Sequence, residues 1–157
     1  MTSYLPPLTF VLAWVLAIAG VTPTGADSSA PFDEEALRWM LFLGAGFSVA
    51  GGIVAHTVFA RQIAKEIGWE TNGFQYEVGF ASLGIGLAAI YASTVDDQSA
   101  WVVGSIGAGV FLLLAGINHI VEIFRERNYA PGNTVILVSD LGVPISLLAL
   151  LLSTGAL

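Results

Sequence analysis

The chain has 157 residues and no cysteine, with 55% hydrophobic and only 11% charged residues. Soluble domains carry about 25% charged residues, so an ordinary aqueous surface is excluded and the composition is that of an integral membrane protein. The lack of cysteine excludes disulfides, thiolate zinc sites, iron–sulfur clusters and thioether-linked haem. A formal charge of −7 argues against nucleic acid, whose phosphates need clustered cations.

A spanning helix needs about 20 mostly apolar residues. Five stretches qualify: 4–21, 39–60, 74–92, 101–124 and 135–152. The first opens on Pro6-Pro7, ordinary helix-entry chemistry. It can also be read as a signal peptide with Thr24-Gly25-Ala26 as the cleavage site, but no Lys or Arg precedes Arg38, so the basic leader is missing. Pro23, Gly25 and Pro31 mark the first loop, and Asp33-Glu34-Glu35 stands just before the second span, where acidic groups suit a helix N-terminus. Asn72-Gly73, Asp96-Asp97 and Pro131-Gly132 mark the later breaks.

Arg61, Lys65, Arg125 and Arg127 follow spans two and four, whereas Arg38 alone lies on the opposite side with Asp27, Asp33, Glu34, Glu35, Asp96 and Asp97. The positive-inside rule then predicts a cytoplasmic N-terminus and an external C-terminus. The negative external face disfavours an anionic substrate there. Trp39, Tyr91 and Trp101 fall at the outer interface, and Trp69, Tyr76 and Tyr129 at the inner one.

The sequence also matches itself at an offset of 63 residues. Gly44-Ala45-Gly46 falls on Gly107-Ala108-Gly109, His56 on His119, and Glu77-Val78-Gly79 on Asp140-Leu141-Gly142. His56 and His119 are the only histidines. The match predicts a tandem helical hairpin, spans two and three followed by four and five, with repeat units 39–94 and 102–157 related by an axis along the membrane normal. The predicted architecture is all-α: a polytopic membrane helix bundle of five transmembrane helices, four of them the hairpin pair and the first an added N-terminal helix.

Counted at 1.5 Å per residue from the cytoplasmic ends, His56, Glu77, His119, Glu122 and Asp140 all lie about 4–9 Å deep. His56 shares a helix face with Gly52, Ser48 and Ala45; Glu77 with Ala81, Gly84 and Ala88; His119 and Glu122 with Ala115, Ala108 and Ser105. Small faces are where membrane helices pack, so all five are expected to point inward and to enclose one polar cavity open to the cytoplasm. The symmetry pairs His56 with Glu77 and His119 with Asp140.

Ionisable groups at membrane depth are by default functional. Two imidazoles with two or three carboxylates suit iron, manganese or zinc, although the order His119-Ile-Val-Glu122 departs from the Glu-first spacing of di-iron bundles. The same residues serve a proton or ion relay, with Glu122 as proton carrier. A bis-histidine haem between His56 and His119 is a third reading. The structural alternative is an accessory subunit whose His–carboxylate pairs only clasp the hairpins together. No Gly-x-Ser-x-Gly, phosphate loop or His-Glu-x-x-His is present, so no enzyme class is assigned. The lipid bilayer is the expected partner, and the small faces allow a homodimer or homotrimer.

The segments Phe74-Gln75-Tyr76-Glu77-Val78-Gly79-Phe80, Asn118-His119 and Asn128-Tyr129-Ala130-Pro131-Gly132-Asn133 resemble a family of small uncharacterised prokaryotic integral membrane proteins over residues 55–148. The resemblance implies a prokaryotic inner-membrane protein and brings no activity with it. The hairpin pair is also weakly similar to the small redox-associated membrane proteins of the DoxX type.

Overall fold

The structure, a computed structural model, describes residues 2–157. Among the described residues there is helix and loop but no strand. A 3-10 turn at Thr2–Tyr4 leads into α1 (Leu5–Ile18). Then come α2 (Phe32–His56), α3 (Ala60–Ile67), α4 (Gly73–Thr94), α5 (Gln98–Arg125) and α6 (Pro131–Ser153). Helices α2, α4, α5 and α6 have 25, 22, 28 and 23 residues and are long and apolar enough to cross a membrane. Helix α1 is apolar but only 14 residues long.

Helix α2 departs most from the sequence expectation. It begins at Phe32 rather than at residue 39, because Asp33, Glu34 and Glu35 form its first turn instead of preceding it. There their charge meets the free N–H groups of the helix end. It stops at His56, before residue 60. The Thr57 hydroxyl donates to the Ile53 carbonyl, and the backbone at Phe59 has moved to φ −102°, ψ 20°. Such a local side-chain bond competes with the helical ladder. The chain restarts as α3, which buries Ala60, Ile63 and Ala64 and exposes Arg61, Gln62 and Lys65. Gly68, at φ +88°, closes α3 in the left-handed region that glycine adopts freely. Within α2, Met40–Phe47 is a π-helix.

Close backbone approach joins α2 to α4. A methyl group placed on Gly86 would strike the Ala50 nitrogen and the Gly46 carbonyl oxygen. Gly79 lies against the His56 β-carbon in the same way, 3.1 Å from where its own would be. The inward face of α4 is therefore Gly79, Ser82, Gly86 and Ala89, all buried. Glu77, Ala81, Gly84 and Ala88 form the exposed face, which corrects the expectation that Glu77 points into the bundle. Helix α4 carries small residues on both sides, so residue size alone does not fix its phase; the fit to Gly46 and Ala50 does.

Helices α5 and α6 pack in register, with Gly116 against the Asp140 β-carbon and Ala108, Leu112, Val143 and Leu147 in the shared core. Helix α1 lies along α6, where Phe10 covers Gly142 and the Trp14 indole N–H donates to the Ser146 hydroxyl at 3.3 Å. At one end Ser3 bonds Glu66; at the other the Trp39 indole donates to the Val21 carbonyl at 2.6 Å. The segment around α1 thus reaches from one end of the bundle to the other. The π-helix and the break at 57–59 have no counterpart in α5, which is α-helical from Gln98 to Arg125.

Gly84 and Gly86 offer a direct contrast. A methyl on Gly84 would meet nothing within 4 Å. Gly84→Ala is expected to keep or raise thermal stability in detergent, by up to about 1 kcal/mol. Gly86→Ala is expected to lower it by roughly 1–3 kcal/mol through overpacking. Equal melting curves for the two variants would contradict the packing described.

Candidate functional site

The turn after α5 builds the site. Arg127 takes a left-handed φ of 54°, which reverses the chain. Pro131 opens α6, and Asn133 in its first turn comes back onto α5. Asn133 is fully buried. Its amide nitrogen donates to the Asn128 carbonyl at 2.9 Å and to the His119 carbonyl at 3.3 Å. With two carbonyls facing that nitrogen, the amide fits one way round only. Its oxygen therefore faces the His119 ring, 2.7 Å from Nδ1.

That contact fixes the tautomer. An amide oxygen only accepts, so Nδ1 of His119 carries the hydrogen, and in the neutral ring Nε2 holds the lone pair. Nε2 lies 3.8 Å from an Asp140 carboxylate oxygen. Both side chains are buried, at 7% and 3% exposure. The Trp69 indole stacks on the imidazole with centroids 5.5 Å apart and planes at 15°. Trp69 is held in place just after Gly68, where the Asn128 amide donates to the Ile67 carbonyl at 2.8 Å.

The other expected members stand apart. His56 is half-buried, and its Nδ1 is buried without a hydrogen-bond partner. Glu77 is exposed, so the pairing of His56 with Glu77 expected from the 63-residue offset is not formed. Glu122 is half-buried on α5. Among the described residues no group of three or more His, Asp or Glu side chains is gathered closely enough to hold a metal ion. His119 has Asn133 at one ring nitrogen and Asp140 facing the other, so haem ligation there would have to displace one of them. What the arrangement can do is exchange a proton between a buried carboxyl group and an imidazole nitrogen.

The opposite end holds a polar cluster that sequence reasoning did not single out. Arg38, used there only for orientation, is 1% exposed. Its guanidinium pairs with Glu34 at 2.9 Å and donates to the carbonyls of Ser93 at 3.2 Å and Val95 at 3.0 Å. It lies 4.9 Å from the Trp101 ring centroid and 3.6 Å from Asp96. The signal available was the spacing Glu34-to-Arg38, one helical turn apart beside a Trp. An open cleft of about 600 Å³ at this end is lined by Asp27, Glu34, Arg38 and Asp96, among others.

The chain belongs to a family of unknown function, DUF6790, whose model matches residues 3–156. The match is wider than the 55–148 expected from motifs. No curated protein and no solved structure matches the chain.

Arg38→Met tests this cluster. It leaves Glu34 without its cation and takes the Arg38 donor from the Ser93 and Val95 carbonyls, of which Val95 keeps the Trp101 indole N–H. The expected loss is on the order of 3 kcal/mol, read as a lower melting temperature in detergent. Arg38→Lys is expected to recover little of it, because an ammonium lacks the guanidinium fork. A melting temperature unchanged in Arg38→Met would show the cluster to be dispensable.

Proposed function

We propose that the protein is a small integral membrane protein in which His119 and Asp140 exchange a proton near the cytoplasmic end of the bundle. The observation that carries this reading is the tautomer. With Nδ1 committed to Asn133, the basic nitrogen of His119 faces a buried carboxyl group across 3.8 Å. A charge stranded in that setting is costly, whereas one proton held between the two leaves the pair without net charge, either both groups neutral or an imidazolium facing a carboxylate.

The finer architecture belongs to the same reading. Five crossings, with the N-terminus inside and the C-terminus outside, are supported by the reach of the α1 segment from Glu66 to Trp39. They are also supported by the position of Arg61, Lys65, Arg125 and Arg127 at one end. The host membrane is then a prokaryotic cytoplasmic membrane, and lipid covers exposed side chains such as Leu8, Val103, Leu114 and Ile145. The tandem-hairpin origin rests on the 63-residue offset alone. A metal centre would need donors beyond the His119–Asp140 pair.

Protein labelled with nitrogen-15 in its histidines, held in bilayers, tests the pair by magnetic resonance. The expected result is an Nδ1–H tautomer for His119 and a titration midpoint that moves in Asp140→Asn. The other tautomer, or an unmoved midpoint, would overturn the reading.

The clasp is the second reading, and Asn133 favours it. This fully buried amide joins the start of α6, the α5 backbone and the turn between them. Asn133→Ala is expected to cost roughly 1–3 kcal/mol in thermal stability. If it does so while Asp140→Asn leaves His119 unaffected, the cluster is a clasp and nothing more.

A further inference from the structure

We propose that Trp69, carried on α3 and the loop behind it, is a lid that controls whether water and small solutes reach His119. The inference rests on the proton-exchange reading for its purpose, but not for its geometry. His119 is enclosed by Asn133 at Nδ1, by Asp140 at Nε2 and by the Trp69 indole over its ring face. Of these three covers only Trp69 is itself exposed, at 40%. It therefore stands between the imidazole and the outside of the bundle.

The segment that carries it is separable from the rest. Helix α3 is not a continuation of α2, since the helical path is interrupted at 57–59. Beyond α3, residues 68–72 are all exposed. Helix α3 buries three small or branched side chains, Ala60, Ile63 and Ala64, and its Ala60 carbonyl accepts from the Gln75 amide at 2.9 Å; the attachments nearer Trp69 are polar. The Ser3 hydroxyl and backbone N–H donate to a Glu66 carboxylate oxygen at 2.7 and 3.3 Å. The Asn128 amide holds the Ile67 carbonyl. Gly132 packs so tightly on the Glu66 carbonyl that a methyl there would lie 2.6 Å from it. The spanning helices share one core of buried side chains, whereas the three buried side chains of α3 lie outside that core and residues 68–72 bury none. Local opening starts where buried apolar contacts are few.

The latch points lie far from each other in the chain. Ser3 belongs to the N-terminal turn, Asn128 and Gly132 to the turn that also presents Asn133. The lid is thus tied to the same turn that fixes the histidine tautomer, so movement of that turn releases both.

Diethyl pyrocarbonate, which acylates an unprotonated imidazole nitrogen, reads access to His119 when the modified peptide is measured by mass spectrometry. The full chain in lipid nanodiscs is expected to modify slowly at His119, against the denatured chain as reference. Trp69→Ala is expected to raise the rate by about two- to tenfold, the range an aromatic stack is worth. Trp69→Phe keeps a stacked ring and is expected to stay near the wild-type rate. Ser3→Ala, which removes one latch bond and no cover, is expected to fall between. Trp14, Trp39 and Trp101 remain as fluorescence reporters of the fold in every variant. Should Trp69→Ala fail to fold, Ser3→Ala carries the comparison. Wild-type modification at the denatured rate would overturn the lid, as would a folded Trp69→Ala, or a Ser3→Ala standing in for it, at the wild-type rate. Access is measured, not proton transfer, so a lid can be found where the titration test fails and the reverse.

Discussion

A guanidinium with 1% of its surface exposed, in a chain that is otherwise apolar through most of its length, has to be neutralised by the protein itself. Arg38 meets that demand by drawing a carboxylate from its own helix, two carbonyls from the end of α4 and the face of Trp101 on α5 into one place. Ser93 lies in the last turn of α4, where the helix leaves its own acceptors open, and Val95 is the extended residue just past its end. Trp101 also donates its indole N–H to the Val95 carbonyl at 2.9 Å. The ends of α2, α4 and α5 therefore share one polar hub.

The opposite end solves the same problem with a neutral group. Asn133 supplies a donor to two carbonyls and an acceptor to an imidazole. Between the two hubs the helices meet through Gly46, Ala50, Gly79, Gly86 and Gly116, where backbones come close and dispersion replaces polar bonding. Polar bonding concentrates where helices end and carbonyls are free, and small residues fill the middle.

The helical class and the approximate extents of α4, α5 and α6 were legible because apolar runs of the required length are bounded by Asn-Gly, Asp-Asp and Pro-Gly breaks. The boundaries of α2 were not. Acidic residues at 33–35 look like a loop when only hydropathy is counted, yet they are the favoured first turn of a helix. The facing of Glu77 failed for a different reason. Periodicity gave two equivalent small stripes on α4, and nothing in one helix says which of them its neighbour touches. Among the five residues singled out, His119 and Asp140 come together because α5 and α6 are adjacent and Gly116 lets them approach. His56 faces Gly79 instead of a carboxylate. Asn133 and Arg38 were passed over because an amide near a turn and a lone cation near an interface are both common. Their importance comes from burial, which composition does not display.

The π-helix at Met40–Phe47 gives α2 a property that α5 lacks. A π turn accommodates more residues than an α turn, so the number of residues between Arg38 and His56 is not rigidly tied to the angle between them. A one-residue deletion in this stretch can be absorbed by tightening it toward α geometry, leaving both ends of the helix facing as before. In α5, which is α-helical from end to end, the same deletion would turn His119 by about 100° relative to the preceding part of the helix and away from Asp140. A change of one residue in length is therefore tolerable within the π stretch of α2 and not in α5 between its start and His119.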